Sequence, residues 1–207
     1  MKKIVIIVIV ILILLVSQVM LFYTNKQLHS NVFVKDSYLE ELSAKYSVIE
    51  PQYALNVQNI GKGLDTTIVV SDSLYNQIVL SNYVNQLGHT VLVCRISDHY
   101  CKQCVDHAVS IITDNKNAFD FSKVVFLCNS SGRRVFKLQI REYGLEKMNF
   151  FDCGDLAIPI ENIMFPYFMV VDSSLKVLAV YAPSKSTHGT DFDFKNVKLM
   201  YDNLVDN

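Results

Sequence analysis

Residues 91–105 read Val91-Leu92-Val93-Cys94-Arg95-Ile96-Ser97-Asp98-His99-Tyr100-Cys101-Lys102-Gln103-Cys104-Val105. The first half, opened by Thr90, is an apolar β-rich run of the kind found in the middle of a sheet. Beyond Cys101 the period changes, and Cys104, Val105, Ala108, Val109, Ile111 and Ile112 recur at helical spacing. A C-x-x-C pair therefore stands where a buried strand hands over to a helix, a position suited to thiol–disulfide exchange. The unpaired N–H groups and positive dipole end of the helix stabilise a thiolate on Cys101. Cys104, one turn on, can attack the mixed disulfide that Cys101 forms. Lys102 and His99 are expected to place positive charge beside the thiolate.

Two other chemistries use the same spacing. A structural zinc needs a second ligand pair; Cys128 and Cys153 stand alone, and His188 lies 84 residues beyond Cys104. An inert bridge between residues this close would constrain little of the unfolded chain. The redox pair is the favoured reading, with no metal and no cofactor. No Walker loop, G-x-G-x-x-G, G-x-S-x-G or H-E-x-x-H is present.

Upstream, Thr67-Ile68-Val69-Val70 and Gln77-Ile78-Val79-Leu80 predict an opening hairpin. Downstream, Lys123 to Cys128 predicts a second buried strand. Arg133 to Tyr143 is an amphipathic helix, with Gly144 at its C-terminal stop. Tyr167 to Val171 and Lys176 to Tyr181 form a hairpin across Ser173-Ser174, and Asp191 caps a last helix. The order predicts an α/β fold, a mixed sheet with helices on both faces.

The segment from Val91 through Tyr100-Cys101-Lys102-Gln103-Cys104, together with Met164-Phe165-Pro166-Tyr167-Phe168-Met169-Val170-Val171-Asp172, resembles the two halves of the thioredoxin-superfamily signature. The opening hairpin with Leu80-Ser81-Asn82-Tyr83 further resembles the membrane-anchored TlpA-like branch of thiol-disulfide oxidoreductases. The resemblance covers roughly residues 66–207. It implies that Cys101 is the nucleophile and Cys104 the resolving thiol. It also implies that Phe165 and a cis Pro166 bind substrate beside the sulfurs; an ordinary strand-opening proline is the alternative. Three departures stand out. Tyr100 replaces the family's Trp, Lys-Gln fills the C-x-x-C, and Arg95 occupies the place of a buried carboxylate six residues before the first Cys. An inward Arg95 is expected to favour the Cys104 thiolate and make the disulfide more oxidising. Asp98, on the approach loop, is read as solvated. Cys94 and Cys128 are read as small core residues, and Cys153 as an odd thiol on a loop.

The chain begins Met1-Lys2-Lys3, and Ile4 to Phe22 is apolar except for Ser17 and Gln18. As a helix these residues span roughly 28 Å, close to the ~30 Å hydrocarbon core. We expect a cytoplasmic stub (1–3), a transmembrane signal anchor (4–22), a juxtamembrane helix or linker (23–65) and a thioredoxin-like domain (66–207) outside the cytoplasm, on the periplasmic side in a Gram-negative cell. A cleaved signal peptide is the alternative, although no small-x-small site follows. Leu28, Val32, Leu39, Leu42 and Tyr46 share a helix face, as a linker helix or a short parallel coiled coil, and Pro51 is the expected end.

Of 207 residues, 51% are hydrophobic and the formal charge is −1. With Lys2 and Lys3 set apart, 17 basic residues face 20 acidic ones. That balance argues against a nucleic-acid partner. Expected partners are protein thiols and disulfides, with a membrane thiol as electron donor by the resemblance. A Sco-like copper-delivery protein is a runner-up, but its C-x-x-x-C and its His before the proline strand are absent. A non-catalytic interaction module with the same fold is the third reading.

Overall fold

The structure, a computed structural model, describes residues 2–88, 90–183 and 190–205; for 2–14, 29–34, 37, 38, 41, 42, 44, 45, 48 and 190 it describes the backbone alone. The side chains of Ile4 to Leu14, of Val32 and Leu42, and all of His188 lie outside the described residues. Among the described residues no helix is long and apolar enough to cross a membrane.

Two compact units divide between Glu50 and Pro51. The first is helical. The helix, α1, runs from Lys2 to Asn59 and contains Pro51, so Pro51 does not end it. The reason lies in the turns that follow, which are anchored by side-chain amides. Gln52 donates through Nε2 to the Val180 carbonyl (2.7 Å) and accepts from the Ala182 N–H at Oε1 (3.1 Å), and Asn56 Oδ1 accepts from the Val180 N–H (3.0 Å). These bonds satisfy backbone groups on the outer edge of the sheet, and hold the helix past a proline that removes one of its own bonds.

The second unit is built on seven strands: β1 (Val69–Ser71), β2 (Gln77–Val79), β3 (Val91–Ser97), β4 (Val124–Asn129), β5 (Asn149–Asp152), β6 (Tyr167–Val171) and β7 (Val177–Tyr181). Their order is β2-β1-β5-β4-β3-β6-β7. The central three are parallel, with Cys94 opposite Phe126 and Ile96 opposite Cys128; β6 runs antiparallel to β3, and its pairing ends at Arg95 opposite Tyr167. Every residue of β3 is buried, the pattern of a strand covered on both faces.

One face carries α3 (Lys102–Thr113), α4 (Arg133–Glu142) and α5 (Thr190–Leu204) on Leu92, Cys94, Ile96, Phe126 and Cys128; the other carries α2 (Leu80–Leu87) and the 156–160 segment on Val91, Val93, Val125 and Leu127. This is a mixed α/β fold with helices on both faces of a seven-stranded sheet. The hairpin β1–β2 stands where expected, and Gly144, at φ +63°, follows α4. Strand β5 was not anticipated. Its four residues are too short to show a period, and their burial comes from β4 beside them.

Candidate functional site

Strands β3, β4 and β5 end on the same side of the sheet, and their following loops form the candidate site, as crevices at the carboxyl ends of parallel strands commonly do. The β3 loop turns through Asp98, His99 and Tyr100 into α3. Cys101 is the N-cap of that helix (φ −54°, ψ 122°) and is exposed. Its carbonyl accepts the N–H of Cys104 and of Val105, both at 3.0 Å. Cys104 lies in the first turn and is half-buried. The first cysteine thus meets solvent at the positive end of a helix dipole, and the second stands behind it.

The flanking charges differ from those expected. Lys102 forms an ion pair with Glu142 on α4, lies 3.6 Å from Asp106 and sits over the Tyr143 ring at 5.9 Å. Its ammonium is thus held between α3 and α4 by two carboxylates. His99 is exposed, with Nε2 3.6 Å from Asp98. Nor is Asp98 solvated. Its Oδ2 accepts the Ser131 N–H (2.8 Å) and hydroxyl (2.5 Å), which ties the β3 loop to the β4 loop. Partial burial pushes its carboxyl up, but the Ser131 bonds outweigh that and hold it below the ordinary carboxylate range.

Beneath Tyr100, Arg95 turns inward, fully buried. Its Nε and Nη2 donate to Glu161 Oε1 and Oε2, each at 2.9 Å, in a bidentate fork. Nη2 also donates to the Gly154 carbonyl (2.7 Å), and Nη1 to Cys153 Sγ (3.0 Å). The Tyr167 hydroxyl donates to Glu161 Oε1. The expected lone cation is therefore a neutralised pair, with its remaining donors directed at Cys153 and Gly154 rather than at Cys104. Burial pushes the Tyr100 hydroxyl up to about 12, with Glu161 adding to the shift. Cys153 is buried just past β5, not on an open loop. Its thiol is pushed up to about 11 by burial, which outweighs the pull of Arg95. Burial also raises the Cys94 and Cys128 thiols; both are fully buried core residues.

The second half of the site is the segment before β6. A 3-10 turn, Pro159–Ile163, leads to Met164 in the left-handed region (φ 55°), then to half-buried Phe165 and buried Pro166. The Phe165–Pro166 bond is trans, not cis. Phe165 and Pro166 still stand just past the last β3–β6 pair, at the strand end from which the chain proceeds to Cys101. Asn59 Oδ1 accepts from the Ile160 N–H (3.0 Å), so the end of α1 and Arg95 together fix this segment.

The sequence reading missed Glu161, and it missed that Cys153 and Tyr167 join Arg95 in this cluster. Its one available signal was an arginine in an otherwise apolar strand, which requires a buried carboxylate somewhere. Among the described residues no group of three or more His, Cys, Asp or Glu side chains is placed to hold a metal ion.

No protein-family model matches the sequence, and no curated protein matches it. Solved structures similar in architecture include a thiol:disulfide interchange protein from Bacteroides sp. (19% identity, 70% of this chain and 92% of that chain, TM-score 0.47). The thioredoxin domain of a thiol-disulfide oxidoreductase from Bacteroides vulgatus is similar at 17% identity, over 68% of this chain and 96% of that chain, with TM-score 0.46. A peroxidoxin from Mycobacterium tuberculosis is similar at 13% identity, over 67% and 97%, with TM-score 0.43.

Proposed function

We propose that the protein is a thiol-disulfide oxidoreductase that exchanges disulfides with partner proteins through Cys101 and Cys104. The observation that carries this reading is the placement of an exposed cysteine at the N-cap of α3, with a half-buried one a turn behind it. In the reducing direction the Cys101 thiolate attacks one sulfur of a substrate disulfide, and the other leaves as a thiol after taking a proton. The Cys104 thiolate then attacks Cys101 Sγ, releasing the second substrate thiol. Two electrons pass to the substrate and a Cys101–Cys104 disulfide remains, to be reduced by an external dithiol. Phe165 and Pro166 offer an extended backbone edge to the substrate chain.

The apolar run from Ile4 to Phe22 behind Lys2 and Lys3 supports a membrane tether with the domain outside the cytoplasm and a membrane thiol as electron donor. Carbonate extraction of membranes and the mass of the mature N-terminus test the tether; release into the soluble fraction contradicts it.

The chemistry is tested with Cys104→Ser, which is expected to accumulate a mixed disulfide with a peptide substrate that dithiothreitol releases. Cys101→Ser is expected to form none. Equal trapping by both variants contradicts the assigned roles.

A further inference from the structure

Helix α4 carries Arg133, Arg134, Lys137 and Arg141 against a single acid, Glu142. At 3.6 residues per turn the four basic residues fall within about 100° of its circumference, and all four are exposed while Phe136, Gln139 and Ile140 face the core. Among the described residues no carboxylate pairs with any of them; Glu142 is taken by Lys102. Two of the charges are held in place. The Tyr75 ring lies 4.6 Å from the Arg133 guanidinium and 4.8 Å from the Lys137 ammonium, and its hydroxyl donates to the Arg133 carbonyl (3.0 Å). Tyr75 itself stands at φ 68°, a left-handed position costly for a side chain of its size. In a body with an acidic balance, Arg133 and Arg134 thus stand in the first turn of a helix, where the dipole opposes them, with Lys137 one turn on and Arg141 in the last turn. A local conflict of that kind, in which no carboxylate among the described residues offsets the repulsion, marks a functional surface.

Its position gives it a use. The turn into α4 is tied through Ser131 to Asp98, three residues before Cys101, and the last turn of α4 meets the first turn of α3 through Lys102 and Glu142. We infer that this face of α4 docks an acidic segment of a polypeptide substrate beside the disulfide that Cys101 attacks. The inference deepens the oxidoreductase reading and rests on it. Four charges on one helix are too few for a nucleic-acid groove in a chain of net acidic body, and their place beside the cysteine favours a substrate chain instead.

The test uses the full chain in neutral detergent and two peptides of equal length, each with one disulfide flanked either by Asp and Glu or by Lys and Arg. The wild type is expected to reduce the acidic peptide about tenfold faster than the basic one at low salt, with the preference fading as salt rises. Arg134→Glu with Lys137→Glu is expected to invert the preference, and Arg134→Gln with Lys137→Gln to abolish it. The ratio is internal to each variant, so a general loss of fold lowers both rates and leaves it interpretable. Equal rates with both peptides, or a preference the substitutions leave unchanged, overturn the inference. Hydroxyethyl disulfide separates the two claims, since failure of the wild type to reduce even this neutral substrate sinks the oxidoreductase reading. In that event fluorescence anisotropy of labelled linear versions of the two peptides still decides the docking face. Selective, salt-sensitive binding of the acidic one supports it, and binding of neither, or of single-stranded DNA or anionic vesicles instead, overturns it.

Discussion

At the scale of single residues, Arg95 and Glu161 form a buried, bidentate ion pair. A guanidinium with no exposure and a side-chain carboxylate only 12% exposed are stable together and costly apart. Arg95→Met is therefore expected to destabilise the protein by about 3–5 kcal/mol, because it strands Glu161, while adding Glu161→Gln is expected to recover much of that loss. Urea unfolding of the two variants checks this; equal stability of single and double variants contradicts the pairing. Asp98 gives a pH-dependent counterpart. Its carboxyl is held below the ordinary value, so its contribution is present above about pH 4 and is lost as pH falls through its folded value. Asp98→Asn is expected to cost about 1–3 kcal/mol at pH 7, and the difference from wild type is expected to narrow as pH is lowered. Thiol reactivity is set by burial as well. Iodoacetamide at pH 8 is expected to modify exposed Cys101 first, and Cys94, Cys128 and Cys153 only on unfolding.

At the scale of elements, β7 shows how an edge strand is closed without another full strand. Its start is paired by the 61–64 segment, with Gly61 N–H donating to the Val177 carbonyl and the Val177 N–H to the Lys62 carbonyl, each at 2.8 Å. Its end is covered by Gln52 and Asn56. Gln52→Ala with Asn56→Ala is expected to lower stability by about 2–4 kcal/mol, since partly buried backbone groups of Val180 and Ala182 lose their partners. A urea midpoint unchanged from wild type contradicts this account. None of it was legible beforehand, because the meaning of an amide at position 52 depends on a strand some 130 residues away. The strands β3, β4 and β6 were legible, because each is a continuous β-rich run. So was the helix start at Cys101, where the period changes. Pro51 misled because local propensity predicts a stop, and tertiary bonds overrode it. Pro166 misled in another way: the motif that sets a proline before the strand carries no sign of its peptide geometry, and the Phe165–Pro166 bond is trans.

At the scale of the whole molecule, the fold brings together two segments some 60 residues apart, the C-x-x-C loop and the Phe165–Pro166 segment, at the ends of neighbouring strands. The cysteines were readable because their chemistry needs fixed spacing. The buried partner of Arg95 was not, since Glu161 reaches it from a 3-10 turn with no spacing rule. The central claim is that Cys101 and Cys104 form a working redox couple, and its most direct test is the reduction potential of the full chain in detergent. Equilibration with glutathione buffers and mass spectrometry after thiol alkylation give the fraction in each form. The account predicts a reversible two-electron couple between about −120 and −300 mV, lost in Cys101→Ser and in Cys104→Ser. Two thiols that never pair across that range, or a bridge that resists reduction throughout it, would contradict the account.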